Sequence, residues 1–244
     1  MEPDDVPARW NASPEVPDMW VAPAEDPRFA APSTELEGER ATLLDYLRAY
    51  RITLEMKCAG LDAEQLARRS VPPSTMSLLG LIRHMAECER GWFRRVMAGA
   101  DAPPLYRSTD MADGDWLGAI ADPAVVEQAW QDWRDEVAFA EKFVADSPDL
   151  GIRGTKRDGS TIALREVLVH MIEEYARHCG HADLLRERID GRTGQLSPVR
   201  CGRPTLAMAL PSSSMIARAP GTTITGLVIR AGIGIPLVIG SSVL

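Results

Sequence analysis

The four histidines of the sequence lie in two places, and their spacing is typical of a metal site. His84 stands by itself, whereas His170, His178 and His181 fall within twelve residues, together with Glu174. At about 100° per residue, a helix would place these last four side chains on one narrow stripe. Imidazole nitrogen and carboxylate oxygen are good ligands for zinc, nickel or iron(II), and side chains four residues apart can converge on one ion.

A single helix cannot surround a metal, so a ligand from a facing helix is needed. His84 is the only other histidine that can supply it, and bundles build metal sites in this way. Spacing leaves alternatives open: His84 could be a hydrogen-bonded core or surface residue, and His181 a solvated or capping residue. His170 could be a hydrogen-bond donor behind the ligands. The spacing favours no particular ligand set.

The elements that must position these residues are predicted to be helices. Capping boxes, Asp-Pro starts and Gly or Pro stops set their ends. The predicted helices run from about 34 to 56, over a short stretch after Asp62, from Ser74 or Thr75 to Ala98, from Asp122 to Asp146, and from Ser160 or Thr161 to Asp190. Because no window shows sustained strand alternation, the predicted fold is an all-α four-helix bundle. Residues 101–121 would form a long crossover connection, and 153–159 a turn or hairpin tip.

Composition divides the chain into three parts. Residues 1–32 hold seven prolines and predict an extended arm, which Trp10 and Trp20 could anchor. The helical domain covers 33–194, and residues 195–244 form an apolar extension that has no Asp, Glu or Lys. We expect this extension to be irregular and not to span a membrane, because Arg230 and several glycines interrupt the apolar stretch.

The charge and cysteine counts exclude several classes of function. A net charge of −8 argues against nucleic-acid binding, which needs a basic surface. The four cysteines show no CxxC pair and no disulfide spacing, and the acidic N-terminus does not resemble a secretory signal, so a cytoplasmic location is expected. Phosphate-loop, dinucleotide-binding, HExxH and GxSxG motifs are absent from the sequence.

Other polar residues near the histidines have two interpretations each. Cys88 follows His84 by four residues and could be a fourth ligand that closes the site, although a small core residue is favoured. Four arginines could face an anionic substrate or be solvated, and three glutamates are expected on helix surfaces. These residues are Arg83, Arg90, Arg94 and Arg177, and Glu87, Glu89 and Glu173.

The segments LLGLIRHMAECERGWFRRVMAG (78–99) and LREVLVHMIEEYARHCGHADLLRERIDGRTG (164–194) resemble the DinB-like metal-binding bundle superfamily. The resemblance covers roughly residues 35–194. It is strongest to the actinobacterial mini-circle-protein branch, which is related to the N-terminal domain of mycothiol-dependent maleylpyruvate isomerase. Cys88 and the extension after Gly194 have no counterpart in the family pattern.

The resemblance implies a divalent metal held by His84, Glu174 and His178, with zinc favoured over nickel or iron. It makes His170 and His181 candidates for positions behind the ligands or toward the substrate. Arg177 and Cys88 are further candidates for such positions, on the basis of the sequence alone. The implied activity is S-transfer or isomerisation with a low-molecular-weight thiol such as mycothiol and an electrophilic substrate, with no protein nucleophile. A non-catalytic metal-binding or stress-associated protein and a metal-dependent hydrolase are the alternatives. Homodimerisation is compatible with the superfamily.

Overall fold

Long helices packed as a bundle make up most of the described chain. The computed structural model describes residues 26–29 and 37–193. The elements are α1 (Gly38–Cys58), α2 (Ala63–Ala67), α3 (Leu78–Glu89), a π-helical segment (Arg90–Met97), α4 (Gly114–Leu117), α5 (Pro123–Asp146), β1 (Arg153–Thr155), β2 (Thr161–Ala163) and α6 (Leu164–Asp190). The all-α fold class is therefore confirmed. The extension over 195–244, and the arm apart from 26–29, lie outside the described residues.

The helix ends follow the capping signals in part. Asp62 and Gln65 form the expected capping box of α2, and Asp122 caps α5 ahead of Pro123. The start predicted for α3 is wrong, because Ser77 is the residue whose hydroxyl accepts from an amide of the first turn, that of Gly80, at 3.1 Å. Ser74 instead closes the preceding turn, because its amide donates to the carbonyl of Val71 at 2.9 Å. Its hydroxyl accepts from Met76 N–H at 3.2 Å.

The last helix begins later than the sequence predicts. Residues 161–163 pair with 153–155 as a short antiparallel hairpin, so Thr161 lies in a strand and Ala163 is the residue that precedes the helix. Helix α6 starts at Leu164, and Glu166 accepts a hydrogen bond from Ala163 N–H at 2.9 Å. It ends at Gly191, whose φ of 76° is a left-handed conformation that glycine adopts without a steric penalty.

The helix containing His84 changes its geometry after Glu89. The sequence predicts one continuous α-helix to Ala98, but the backbone widens to a π-helix over Arg90–Met97. The amide of Ala98 accordingly donates to the carbonyl of Phe93, five residues earlier, at 2.9 Å. Such segments are rare and often lie at functional sites. Here the π-helix carries Trp92, whose ring lies edge-on against that of His170 with centroids 4.8 Å apart.

Two helix pairs build the core that supports the site. Helix α1 packs along α6, and α3 packs along α5, with α3 also contacting α6. The long connection of residues 98–122 thus joins two helices that lie side by side. Fully buried apolar side chains fill the space between the helices, among them Leu54, Phe93, Leu168 and Met171. Within the described ranges, no helix is long and apolar enough to cross a membrane.

Candidate metal centre

Helices α3 and α6 bring together four side chains of the types that bind metals. His84 and Cys88 are one turn apart on α3, and Glu174 and His178 are one turn apart on α6. Ligand atoms of His84, Cys88 and Glu174 all lie within 4.8 Å of one another. The rings of His84 and His178 meet edge-on with centroids 4.7 Å apart. The structure thus places His84 next to the α6 stripe, while their shared role as metal ligands stays a prediction.

Asp115 fixes the orientation of the His84 ring. Its carboxylate has no exposed side-chain surface, and Oδ2 lies 2.9 Å from His84 Nδ1. Arg107 Nη2 donates to the same oxygen at 2.7 Å. Burial by itself would raise the pKa of Asp115, but the hydrogen bonds from His84 and Arg107 hold it below the ordinary value. An ionised Asp115 favours the His84 tautomer that carries its proton on Nδ1, which leaves Nε2 as a lone-pair donor facing Cys88 and α6.

Two side chains of α3 hold the connection that carries Asp115. Arg83 donates to the carbonyl oxygens of Gly114 and Asp115, both at 2.9 Å. Glu87, one turn later, accepts from the amide of Tyr106 at 2.6 Å. These bonds satisfy buried backbone groups of an irregular segment. The connection also stacks the ring of Trp116 on that of His84, with centroids 4.9 Å apart and an angle of 26° between the ring planes.

Gly114 permits the close approach of α4 to the rest of the connection. A Cβ at this position would stand 1.9 Å from the carbonyl oxygen of Tyr106. We expect Gly114→Ala to displace α4 with Asp115, lowering the free energy of unfolding by about 1–3 kcal/mol and weakening zinc binding. Urea unfolding and a chelator competition assay measure the two effects. Gly91→Ala is the control, because a Cβ there meets nothing within 4 Å. Equal behaviour of the two variants would contradict this role of Gly114.

Glu174 lies between histidines on its own helix. Its Oε2 is 3.4 Å from His178 Nε2, and its Oε1 is 3.8 Å from His170 Nε2. The hydrogen bond with His178 lowers the pKa of Glu174 against the opposing effect of burial, and the charges of His178, His170 and His84 lower it further. Glu174 is consequently a carboxylate at neutral pH, the form that binds a cation.

His181 and His170 lie on either side of the donor cluster. His181 Nδ1 is 3.3 Å from His178 Nδ1, so one of the two rings must donate to the other. Burial lowers the pKa of His181, and His178 and Arg177 lower it further, which keeps its imidazole neutral at pH 7. His170 Nε2 is buried and has no hydrogen-bond partner among the described residues. Such an atom is costly unless a ligand satisfies it.

The donor set fits a divalent transition metal. It combines two imidazoles, a carboxylate and a thiol, which are the ligand types that zinc takes in proteins. The Asp115–His84 contact is the outer hydrogen bond that usually accompanies a metal-ligating histidine. Cys88, for which the sequence favours a packing role, has its sulfur 3.5 Å from His84 Nε2. The residues present therefore suit the metal that the family resemblance implies.

Replacing the carboxylate behind His84 provides a test of this arrangement. In Asp115→Asn the side chain loses its charge and no longer enforces the His84 tautomer, so we expect zinc affinity to fall by about 10–100-fold. Competition with a chromogenic chelator measures the change. The matched control is Asp113→Asn, since Asp113 is exposed two residues earlier and its side chain makes no cap hydrogen bond. Unchanged affinity in Asp115→Asn would contradict the orienting role.

Several polar residues lie where the sequence does not predict them. The guanidinium of Arg83 is neither solvated nor free to bind a substrate, because it donates to two backbone carbonyl oxygens. Arg90 and Arg94 both form ion pairs with Glu136. The surface position expected for Glu87 and Glu89 is wrong, since both are buried. Arg177 and Glu173, the last of the arginines and glutamates that the sequence singled out, are exposed.

Sequence reasoning missed the residues that the connection contributes. Asp115, Trp116 and Arg107 lie in a stretch that contains several other acidic residues, and no periodicity distinguishes them. The available signal was the tryptophan, a large aromatic side chain directly after an aspartate. An aromatic ring in such a place usually packs against something.

Comparison with known proteins gives one match. A family model described as mycothiol-S-transferase matches residues 42–191, a range that contains α1 from its second turn, the connection and all of α6. No curated protein matches the chain, and no solved structure does. The matched range includes His84, Cys88, Asp115, Glu174 and His178.

Proposed function

The chain belongs to the mycothiol-S-transferase family of the DinB-like superfamily, and from this premise we propose that it conjugates mycothiol to an electrophilic small molecule with the help of a divalent metal. His84, Glu174 and His178 would hold the metal, for which zinc is favoured over nickel or iron. The observation that carries the proposal is that ligand atoms of His84 and Glu174 converge from α3 and α6 within the matched range, with the His178 ring in edge contact with that of His84.

The metal would supply the positive charge that makes a nearby thiol acidic, which favours the nucleophilic thiolate at neutral pH. The chain's own residues contribute position and hydrogen bonding. Asp115 and Arg107 hold the His84 ring, and Trp116 covers one face of it. The Nε2 of His170 has no hydrogen-bond partner among the described residues and would form one with a co-substrate that reaches it.

In the proposed reaction the mycothiol sulfur forms a bond to an electrophilic carbon of the substrate. The thiol proton is lost to solvent, and either a leaving group departs with the bonding electrons or the electrophile takes up a proton. No protein nucleophile is required, because the thiol is itself the attacking group. Isomerisation would use the same thiol addition, followed by its elimination. A cytoplasmic location and a homodimer remain predictions.

A conjugation assay tests the proposal. The full-length protein is loaded with zinc and incubated with an alkylating electrophile and mycothiol, and mass spectrometry follows formation of the thioether. We expect the zinc protein to accelerate conjugation of mycothiol, and removal of zinc by a chelator to abolish the acceleration. Absence of any zinc-dependent acceleration across a panel of electrophiles would contradict the proposal. Loss of the electrophile by zinc-dependent reaction with water would instead support a hydrolase.

One observation favours the second candidate, a non-catalytic metal-binding protein. The thiol of Cys88 lies among the donors, and a metal that has four protein ligands is typical of structural sites. The two functions differ in whether mycothiol can reach the metal. Whether Cys88 is a fourth ligand therefore decides between an open catalytic site and a closed structural one.

A further inference from the structure

We propose that Cys88 is a protein ligand of the divalent metal, completing a four-donor set with His84, Glu174 and His178. The inference rests on the metal site of the proposed function and adds a ligand that the family pattern of His, Glu and His does not contain. It makes the resting site closed, with a sulfur atom in the position that three protein ligands would leave open.

Donor-to-donor distances provide the first argument. With metal bonds of about 2.0–2.1 Å to nitrogen or oxygen and about 2.3 Å to sulfur, a tetrahedral site has nitrogen–sulfur edges of about 3.5 Å and nitrogen–oxygen edges of about 3.3 Å. The structure has His84 Nε2 at 3.5 Å from Cys88 Sγ. It has His178 Nε2 at 3.4 Å from Glu174 Oε2. Both helices thus hold their donor pairs at the spacing that such a site requires.

The two pairs also face each other. The ligand atoms of Cys88 and His84 lie within 4.8 Å of a carboxylate oxygen of Glu174, and the His84 and His178 rings are in edge contact. Asp115 holds the Nδ1 side of His84, so Nε2 is the nitrogen that remains for the metal. Cys88 approaches His84 on that nitrogen, and not on the side that Asp115 occupies.

The other described cysteines do not share this environment. Cys58 and Cys179 are buried in the core, and the thiol of Cys179 donates to the carbonyl oxygen of Tyr50 at 3.8 Å.

A thiolate ligand has consequences for metal choice and for catalysis. Sulfur favours zinc over hard ions such as magnesium or manganese. Since the protein sulfur occupies the fourth position, a thiol co-substrate must displace Cys88 or enlarge the coordination sphere to reach the metal. Cys88 would therefore limit access of small thiols to the site.

Cobalt spectroscopy tests the inference on the full-length protein. The chain is purified with a phosphine reductant in place of thiols, stripped of metal and titrated with Co²⁺. We expect one bound cobalt with a near-ultraviolet thiolate-to-cobalt charge-transfer band, which Cys88→Ser abolishes. Cys58→Ser, the matched control in the core, should retain the band. By chelator competition, Cys88→Ser should weaken zinc binding by about 100-fold or more, beyond the effect typical of outer-shell residues.

X-ray absorption at the zinc edge of the unmodified protein needs no variant, so it remains decisive if Cys88→Ser fails to fold. One sulfur neighbour at about 2.3 Å supports the inference. A shell of nitrogen and oxygen alone overturns it, as does a stoichiometric cobalt complex that lacks the charge-transfer band. Either of these results leaves the proposed function standing. A protein that binds neither cobalt nor zinc would overturn both the ligand assignment and the metal-dependent function.

Discussion

The double variant His84→Ala/His178→Ala is expected to lose its bound divalent metal and to lower zinc-dependent conjugation of mycothiol on the order of 10³-fold. One imidazole comes from each of the two facing helices, so the substitutions remove a donor from both sides of the site. The charge that a metal supplies is worth several kcal/mol, and each 1.4 kcal/mol corresponds to about a tenfold change in rate. Metal analysis after purification and the initial rate of thioether formation measure the two losses.

The control for this variant is a charge change on the same helix that leaves the donors intact. Glu173 is exposed and directly precedes Glu174, so Glu173→Gln should retain both zinc and activity, whereas Glu174→Gln should weaken both. Circular dichroism shows whether the double variant is folded. If the folded double variant keeps one equivalent of metal, the site is not the one proposed here.

The helical fold could be predicted from the sequence because its signals are local. The capping box at Asp62, the Asp122-Pro123 start and the glycine stop at Gly191 each depend on residues within one turn, and all three are observed. The errors arose where another local structure competed with the helix. Thr161 belongs to a hairpin strand, and the π-helix after Glu89 depends on packing that periodicity does not encode.

Only the part of the candidate site that follows from the regular geometry of a helix could be predicted from the sequence. The stripe of His170, Glu174, His178 and His181 follows from a fixed angle per residue, and His84 was the remaining histidine. Asp115 could not be found in this way, since its contact with His84 spans 31 residues and depends on how the connection folds back. The family match supports the superfamily and the mycothiol-S-transferase assignment, while the ligand set itself stays a prediction.

Buried charge in the bundle was missed for a similar reason. Glu89 and Arg51 look like surface residues on their own helices, yet Glu89 is fully buried and Arg51 is 5% exposed. Arg51 Nε and Nη2 donate to the two oxygens of Glu89, each at 2.8 Å. The hydroxyl of Tyr175 donates to Glu89 at 2.8 Å and accepts from Trp133 Nε1 at the same distance. This network links α1, α3, α5 and α6 one residue beyond Cys88.

Glu89→Gln is therefore expected to lower the free energy of unfolding by about 3–5 kcal/mol, the usual cost of leaving a buried charge without its partner. The variant removes the charge of Glu89, which raises the pKa of Arg51 against the effect of burial. The guanidinium still stays charged, because an arginine side chain is not deprotonated in proteins. Urea unfolding at pH 7 measures the loss as a lower midpoint at an unchanged slope.

A second carboxylate near the same arginine provides the matched control. Glu141 lies 3.4 Å from Arg51 Nη1, but its side chain is 57% exposed, so Glu141→Gln should cost less than about 1 kcal/mol. Replacing both partners, as in Arg51→Met/Glu89→Met, should recover much of the stability lost in Glu89→Gln, because no unpaired charge is then buried. If Glu89→Gln proved as mild as Glu141→Gln, the Arg51–Glu89 pair would not determine the stability of the bundle. The alignment of His84 and Cys88 with α6 would then depend on apolar packing.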